Sequence, residues 1–243
     1  MATTARTSSR SSGESPPGKF AGFSEDMFQF LLELQAEQSR TLFKAHQDDY
    51  VRLCRRPLEL LVSELQERLA SVYPRIVNVE PHIFRIQRDT RFSKDKSPYK
   101  TNLAANMPIR PPGEGEDQHT TPGMYLSFGL DGEYVAIGAW HMEPPVVARY
   151  RSQVDDAKAG AQLQKIVTQM QREGWSLGSM EELKRVPPPY PQDHPRAELL
   201  KRKGLAASIQ PADGISATPE LVDWAEARLT QAAPMIRWLD HHL

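Results

Sequence analysis

At 243 residues, with 39% hydrophobic, 25% charged and 8% aromatic side chains, the chain has an ordinary globular composition and enough apolar material for a large core. No apolar run approaches the roughly 20 residues a membrane helix needs. A lone cysteine, Cys54, excludes an internal disulfide or a Cys-rich zinc site and makes a reducing, cytoplasmic setting the expectation.

The first 19 residues are rich in Ser, Thr, Arg and Pro and nearly devoid of large apolar side chains, so they read as a disordered tail ahead of a single domain over 20–243. An Arg- and Ser-rich, acid-poor start of this kind is also how an organelle transit peptide reads. Ser24 is placed to cap a helix whose first turn holds Glu25 and Asp26, with Phe23 and Phe28 at staple spacing and Met27, Phe30, Leu31 and Leu34 on one face. A second helical segment starts near Ser39. Pro57 suits the first turn of a third, which carries Leu58, Leu61, Val62, Leu65 and Leu69.

After Pro74 the period changes from helical to alternating. Residues 82–88 predict a strand, 99–109 a second, and MYLSFGL and EYVAIGAW a hairpin closed by Asp131-Gly132 in a type I′ turn. From Pro144 helical spacing returns, through Leu163, Ile166, Val167 and Met170. A Pro-rich connector precedes a short helix around Arg196 to Lys203, residues 204–210 offer an edge strand, and Thr218-Pro219 starts a last helix that Pro234 kinks or restarts. Helices, strands and helices in succession spell an α+β domain: an antiparallel sheet of four or five strands flanked by N-terminal and C-terminal helices.

Net charge is −1, but positive charge is concentrated. Residues 85–100 hold six basic side chains against Asp89 and Asp95; residues 183–204 hold Lys184, Arg185, Arg196, Lys201, Arg202 and Lys203 against Asp193 and Glu198. Within the first cluster the pattern R-x-x-R-D-x-R-F-x-x-x-D-K-x-x-Y is carried by Arg85, Arg88, Asp89, Arg91, Phe92, Asp95, Lys96 and Tyr99. This pattern resembles the signature of an uncharacterised bacterial and fungal family, domain of unknown function 2461. Phe20 to Phe23, Tyr50 to Pro57, Gly138 to Trp140, Leu183 to Arg185 and His194-Pro195 extend the resemblance over about residues 20–240. It implies no established activity and no catalytic residues; no cofactor is expected. The family pattern favours a glycine after the proline that follows Leu-Lys-Arg, where this chain has Pro187-Pro188-Pro189.

Arginine forks match carboxylate or phosphate oxygens and stay charged at every working pH. One reading therefore has Arg88, Arg91, Lys96, Tyr99 and Lys100 ringing an anion, joined by Lys184 and Arg185. The competing reading has Asp89 and Asp95 binding turn backbone and arginines in a structural network with Arg85 and Phe92. Strand alternation puts Arg85 and Arg88 on opposite faces unless the strand bulges or ends. Tyr99, Lys96 and His194 are the candidates for proton transfer, His194 competing with a capping role; Asp89 is a poor base because its cationic neighbours lower its pKa. Trp140 reads as core packing. Phosphate loops, dinucleotide fingerprints and metal-ligand spacings are missing from the sequence.

The leading expectation is a domain binding or acting on a small phosphorylated or carboxylated molecule. The alternatives are a nucleic-acid-binding protein and a non-catalytic interaction protein whose motif is structural.

Overall fold

Ser24 Oγ accepts from the Met27 amide at 3.3 Å and opens α1 (Glu25–Ala36), while Phe23 is fully buried against Phe128, ring centroids 5.0 Å apart. The cap fixes where the helix starts and the aromatic contact fixes what it packs on. The computed structural model describes residues 18–91, 93–113 and 121–243; the expected tail falls almost wholly outside them.

Ser39 Oγ accepts from the Leu42 amide at 3.0 Å and opens α2 (Arg40–Ala45), followed by the single turn α3 (Gln47–Asp49). A π-helical segment, Tyr50–Arg55, then runs into α4 (Arg56–Arg68). Pro57 has no amide hydrogen to donate one turn back, and the Arg56 amide reaches Val51 O, five residues earlier; the widened turn absorbs the proline without a break. Cys54 lies inside this segment, and burial pushes its thiol up to about 12, which leaves it protonated and unreactive at neutral pH.

The strands are β1 (His82–Ile83), β2 (Asn102–Pro108), β3 (Gly123–Gly129) and β4 (Tyr134–Ala139). After them come α5 (Pro144–Asp155), α6 (Ala159–Arg172), β5 (Ser176–Gly178), α7 (Ala197–Leu200), β6 (Leu205–Ile209), α8 (Glu220–Gln231) and α9 (Ala233–His242). They form one six-stranded antiparallel sheet in the order β1-β2-β3-β4-β6-β5. The α+β class holds, but the sheet has six strands instead of the expected four or five. The missed one, β5, has three residues, Ser-Leu-Gly, too short to show a period. Because β5 pairs outside it, β6 is an interior strand and not the edge strand its sequence suggested.

Two local expectations also change. The β3–β4 connection is longer than a two-residue turn: Ser127 pairs with Tyr134, and Gly132, at φ +111°, sits in a loop where its amide meets Gly129 O at 3.3 Å. The predicted strand over 82–88 shortens to β1. Its pairing resumes at Gln87 opposite Tyr99, with Lys100 N bonded to Ile86 O and Arg88 N to Pro98 O. Between Ile83–Ala105 and Gln87–Tyr99 three residues on one side face five on the other, so the alternation that would separate Arg85 from Arg88 is broken by a bulge.

One sheet face is the core. Leu103, Ala105 and Met107 of β2, Met124, Leu126 and Phe128 of β3, Val135, Ile137 and Ala139 of β4, and Leu205 and Ala207 of β6 are all buried. The helices lie on this side: α4 contacts β2, and α8 and α9 contact β4. Pro234 falls in the first turn of α9, so it restarts a helix instead of kinking one. The opposite face of the sheet presents Asn102, Asn106, Tyr125, Tyr134, Ala136, Gly138 and Ser208, which are half-buried, and it is on this face that the site lies.

Candidate functional site

The basic motif folds largely onto itself. Asp89 Oδ1 accepts from the Arg91 amide at 3.1 Å and from Arg91 Nε at 3.0 Å, and Oδ2 takes Arg91 Nη2 at 2.6 Å. Asp95 Oδ1 accepts from the Ser97 amide at 2.9 Å and Oδ2 from Arg88 Nη1 at 2.5 Å; Lys96 Nζ donates to Thr90 O at 2.8 Å. Each aspartate thus holds one turn amide and one guanidinium, the arrangement that short polar side chains favour in turns. Tyr99 leaves the surface: it is buried, stacked on Phe43 at 4.6 Å, with its amide bound to Gln38 Oε1 at 2.9 Å. Phe92 lies outside the described residues.

The Arg91 guanidinium holds the Asp89 carboxyl down at about 2. A folded pKa below the unfolded value means the stabilising contribution is complete above the ordinary carboxylate range and is lost as pH falls through about 2. In an NMR titration the Asp89 carboxyl carbon is therefore expected to turn near pH 2, and in Arg91→Ala at a higher pH but still below the ordinary aspartate value, because the Arg91 amide and the charge of Arg85 remain; an unchanged midpoint would break the assignment. The pair is exposed, so the thermal midpoint of that variant should barely move.

Lys184 and Arg185 are exposed and follow β5, the sheet edge opposite β1. Five strand spacings of about 4.8 Å separate these edges by roughly 24 Å. Neither Lys184 nor Arg185 lines the cavity that Lys100 faces. His194 is held by structure on both ring nitrogens: Nδ1 accepts from the Arg196 amide at 3.0 Å ahead of α7, and Nε2 lies 3.2 Å from Asp155 Oδ1 at the end of α5. This is the capping role.

Lys100 is the member of the motif that faces a cavity. A cleft of about 570 Å³ runs across the open sheet face, bounded by Phe84, Lys100 and Asn106 at one end and by Ser176, Ser208 and Trp140 at the other. Strand register sets its floor. Asn106, Tyr125, Ala136, Ser208 and Ser176 are consecutive partners across five strands, and Gly123, Gly138, Ala206 and Gly178 form the parallel row beside them. Small residues in that second row keep the floor low, and rings flank it. Tyr125 lies between Phe84 at 5.8 Å and Tyr134 at 6.0 Å, forming one continuous aromatic wall. Trp140, expected in the core, is 54% exposed and lies over Gly178, where any side chain would approach its ring to 2.9 Å.

Among the described lining residues Lys100 carries the only formal charge. Its ammonium sits 5.3 Å from the Phe84 ring centroid. Burial and the like charges of Arg85 and Arg88 push its pKa below the ordinary lysine value, so the bulge brings both arginines to bear on one amine. Burial, with Tyr134 adding, pushes the Tyr125 hydroxyl up to about 12, which makes it a hydrogen-bonding group at neutral pH and not a base. Among the described residues no three His, Cys, Asp or Glu side chains cluster as metal ligands do, and no helix is long and apolar enough to cross a membrane.

Phe84, Asn106, Tyr125, Tyr134 and Ser208 were not marked by the motif. The signal that could have found them is in the hairpin itself: Tyr125, Ser127, Tyr134, Ala136 and Gly138 alternate with Met124, Leu126, Val135 and Ile137. One row is core; the other mixes small residues with polar-tipped rings, as a face left open to a ligand would.

No curated protein and no solved structure matches the chain. The profile of a family described as "Conserved hypothetical protein (DUF2461)" matches residues 26–238, nearly the whole of the described domain. The chain with the closed Arg-Asp loop and the open, aromatic-walled sheet face belongs to that family.

Proposed function

We propose that the protein binds a small molecule with a flat apolar body and one anionic group, laid across the open sheet face with its anion at Lys100. The observation that carries this reading is a cleft walled by Phe84, Tyr125, Tyr134 and Trp140 whose described lining has a single cation, at one end. Rings favour a planar body by stacking, the low Gly and Ala floor gives it room, and a half-buried ammonium with arginines behind it favours a carboxylate or phosphate. Asn106, Ser176 and Ser208 supply neutral hydrogen-bonding groups that select among such bodies.

The test is a thermal-shift and calorimetric series pairing each anion with its neutral analogue: benzoate with benzamide, phenyllactate with its amide, a nucleoside monophosphate with the nucleoside. Anionic members should stabilise the protein and lose about tenfold in affinity in Lys100→Gln, equivalent to about 1.4 kcal/mol. Equal stabilisation by neutral analogues, unaltered in the variant, would overturn the reading.

A second reading, single-stranded nucleic acid lying on the sheet, rests on the aromatic side chains beside a basic edge. Its distinguishing result is an affinity for oligonucleotides that falls steeply with salt. The contacts of Phe84 and Tyr134 with Tyr125 form one wall instead of separate stacking platforms, which favours the small ligand.

A further inference from the structure

We infer that the Lys100 amine is a nucleophile, and that the cleft takes ligands with a carbonyl next to the anionic group, 2-oxo acids with a flat apolar body, as a reversible imine on Nζ. This rests on the binding reading above and deepens it. Three features of the site point the same way.

The first is position. Lys100 is the end wall of the cleft, next to Asn106 and Phe84, so a ligand stacked on the aromatic wall has its head group at Nζ. The second is the surroundings of the amine. The other lysines of the motif are spoken for or solvated, Lys96 by Thr90 O and Lys94 by exposure, while Lys100 is half-buried and has no carboxylate partner among the described residues. Its burial on the cleft wall takes water from it, and Arg85 and Arg88 place like charge near it. A desolvated lysine beside other cations is the setting in which an amine gives up its proton and becomes nucleophilic. The third is division of labour. Arg88 is committed to Asp95, so when Lys100 reacts as the neutral amine it is Arg85, exposed and without an ion pair among the described residues, that keeps positive charge near the end of the cleft for the carboxylate. This gives the bulge a role, because its two extra residues lie in 100–104, opposite residues 84–86, and set Lys100 within reach of the charges of Arg85 and Arg88.

The step balances without a cofactor. The Nζ lone pair forms a C–N bond to the ketone carbon as the carbonyl π pair moves to oxygen; proton transfer from nitrogen to oxygen gives the carbinolamine. Loss of that oxygen as water, with the second nitrogen proton, leaves the imine. Hydrolysis runs the same steps backwards.

The experiment uses the full chain with phenylpyruvate and sodium cyanoborohydride, which reduces an imine to a stable secondary amine, followed by peptide mass spectrometry of every lysine. Phenyllactate, which has the same body and carboxylate but no ketone, is titrated in parallel for binding alone. The expected result is an adduct at Lys100 formed at least about tenfold faster than at exposed Lys94 or Lys184, competed away by phenyllactate and absent from Lys100→Arg, which keeps a cation but has no amine to react. Arg85→Gln, at an exposed position, should slow the adduct by relieving the like charge. Binding of phenyllactate with no preferential adduct at Lys100 overturns the imine and leaves the binding reading standing. Failure of phenyllactate to bind at all, with adducts spread evenly over exposed lysines, overturns both.

Discussion

Gly138→Ala is expected to destabilise the protein by about 2–4 kcal/mol, which for a chain of this size lowers the thermal midpoint by roughly 5–15 °C. Gly138 lies in β4 at φ +138°, a conformation that L side chains rarely adopt. A methyl group there would meet Leu205 O at 2.2 Å and Ala206 Cα at 2.7 Å, both backbone atoms of the neighbouring strand β6. Nothing flexible can yield, so relief requires β4 and β6 to separate where Gly138 pairs with Ala206. Gly214→Ala is the matched control. Its φ of +82° is also unfavourable to a side chain, but no atom lies within 4 Å of the added carbon. That variant should lose only about 1 kcal/mol. Thermal melts followed by circular dichroism compare the two; equal losses would show that strand contact at Gly138 contributes nothing beyond backbone strain.

Ala136→Phe should abolish cleft binding, with affinity for an anionic aromatic ligand falling at least about a hundredfold, while the fold survives. Ala136 stands on the open face between Tyr125 of β3 and Ser208 of β6, in the middle of the floor. A phenyl ring there occupies the space the ligand body needs. It enters no packed core, and an aromatic side chain opposite Tyr125 is a favourable cross-strand pair on an antiparallel sheet. The melting temperature is therefore expected to hold or rise slightly as binding is lost. Calorimetry with phenyllactate, beside a melt of the free variant, separates the two effects. Undiminished binding would move the ligand off the sheet face. The same variant should remove the labelling advantage of Lys100, because the ligand body that presents the carbonyl would have nowhere to lie.

Both expectations concern the face of the sheet, and the motif alone gave no reason to look there. The run from Arg85 to Lys100 stands out because its charges are close in sequence. Most of those charges, once folded, are occupied locally: Asp89 with Arg91, Asp95 with Arg88 and Ser97, Lys96 with Thr90. Interactions over so few residues are readable from a sequence, and the structural reading of the two aspartates was available from the turn chemistry. Tyr99 was open to misjudgement, since its burial depends on Phe43, more than fifty residues earlier in the chain. His194 likewise owes its second partner to Asp155.

The helices were legible for a related reason. Ser24, Ser39 and Pro57 act on the next few residues only, and the apolar faces of α1, α4 and α8 repeat with the turn of the helix itself. The hairpin core was legible as alternation. β5 was not, because its three residues become a strand only by pairing with Ser208, Ala207 and Ala206.

The sequence by itself thus determined the α+β class, the helix starts and the main strands, all products of caps, turns and periodicity within short segments, and left the closed Arg-Asp loop as one of two readings of the motif. Tertiary structure alone decided that Lys100 leaves that loop to end a cleft, that Trp140 and Tyr125 wall it, and that Lys184 and Arg185 follow the far edge strand. Those outcomes depend on strand order, on the register of partners distant in the chain and on a bulge of two residues, and no local pattern encodes which strand will lie beside which.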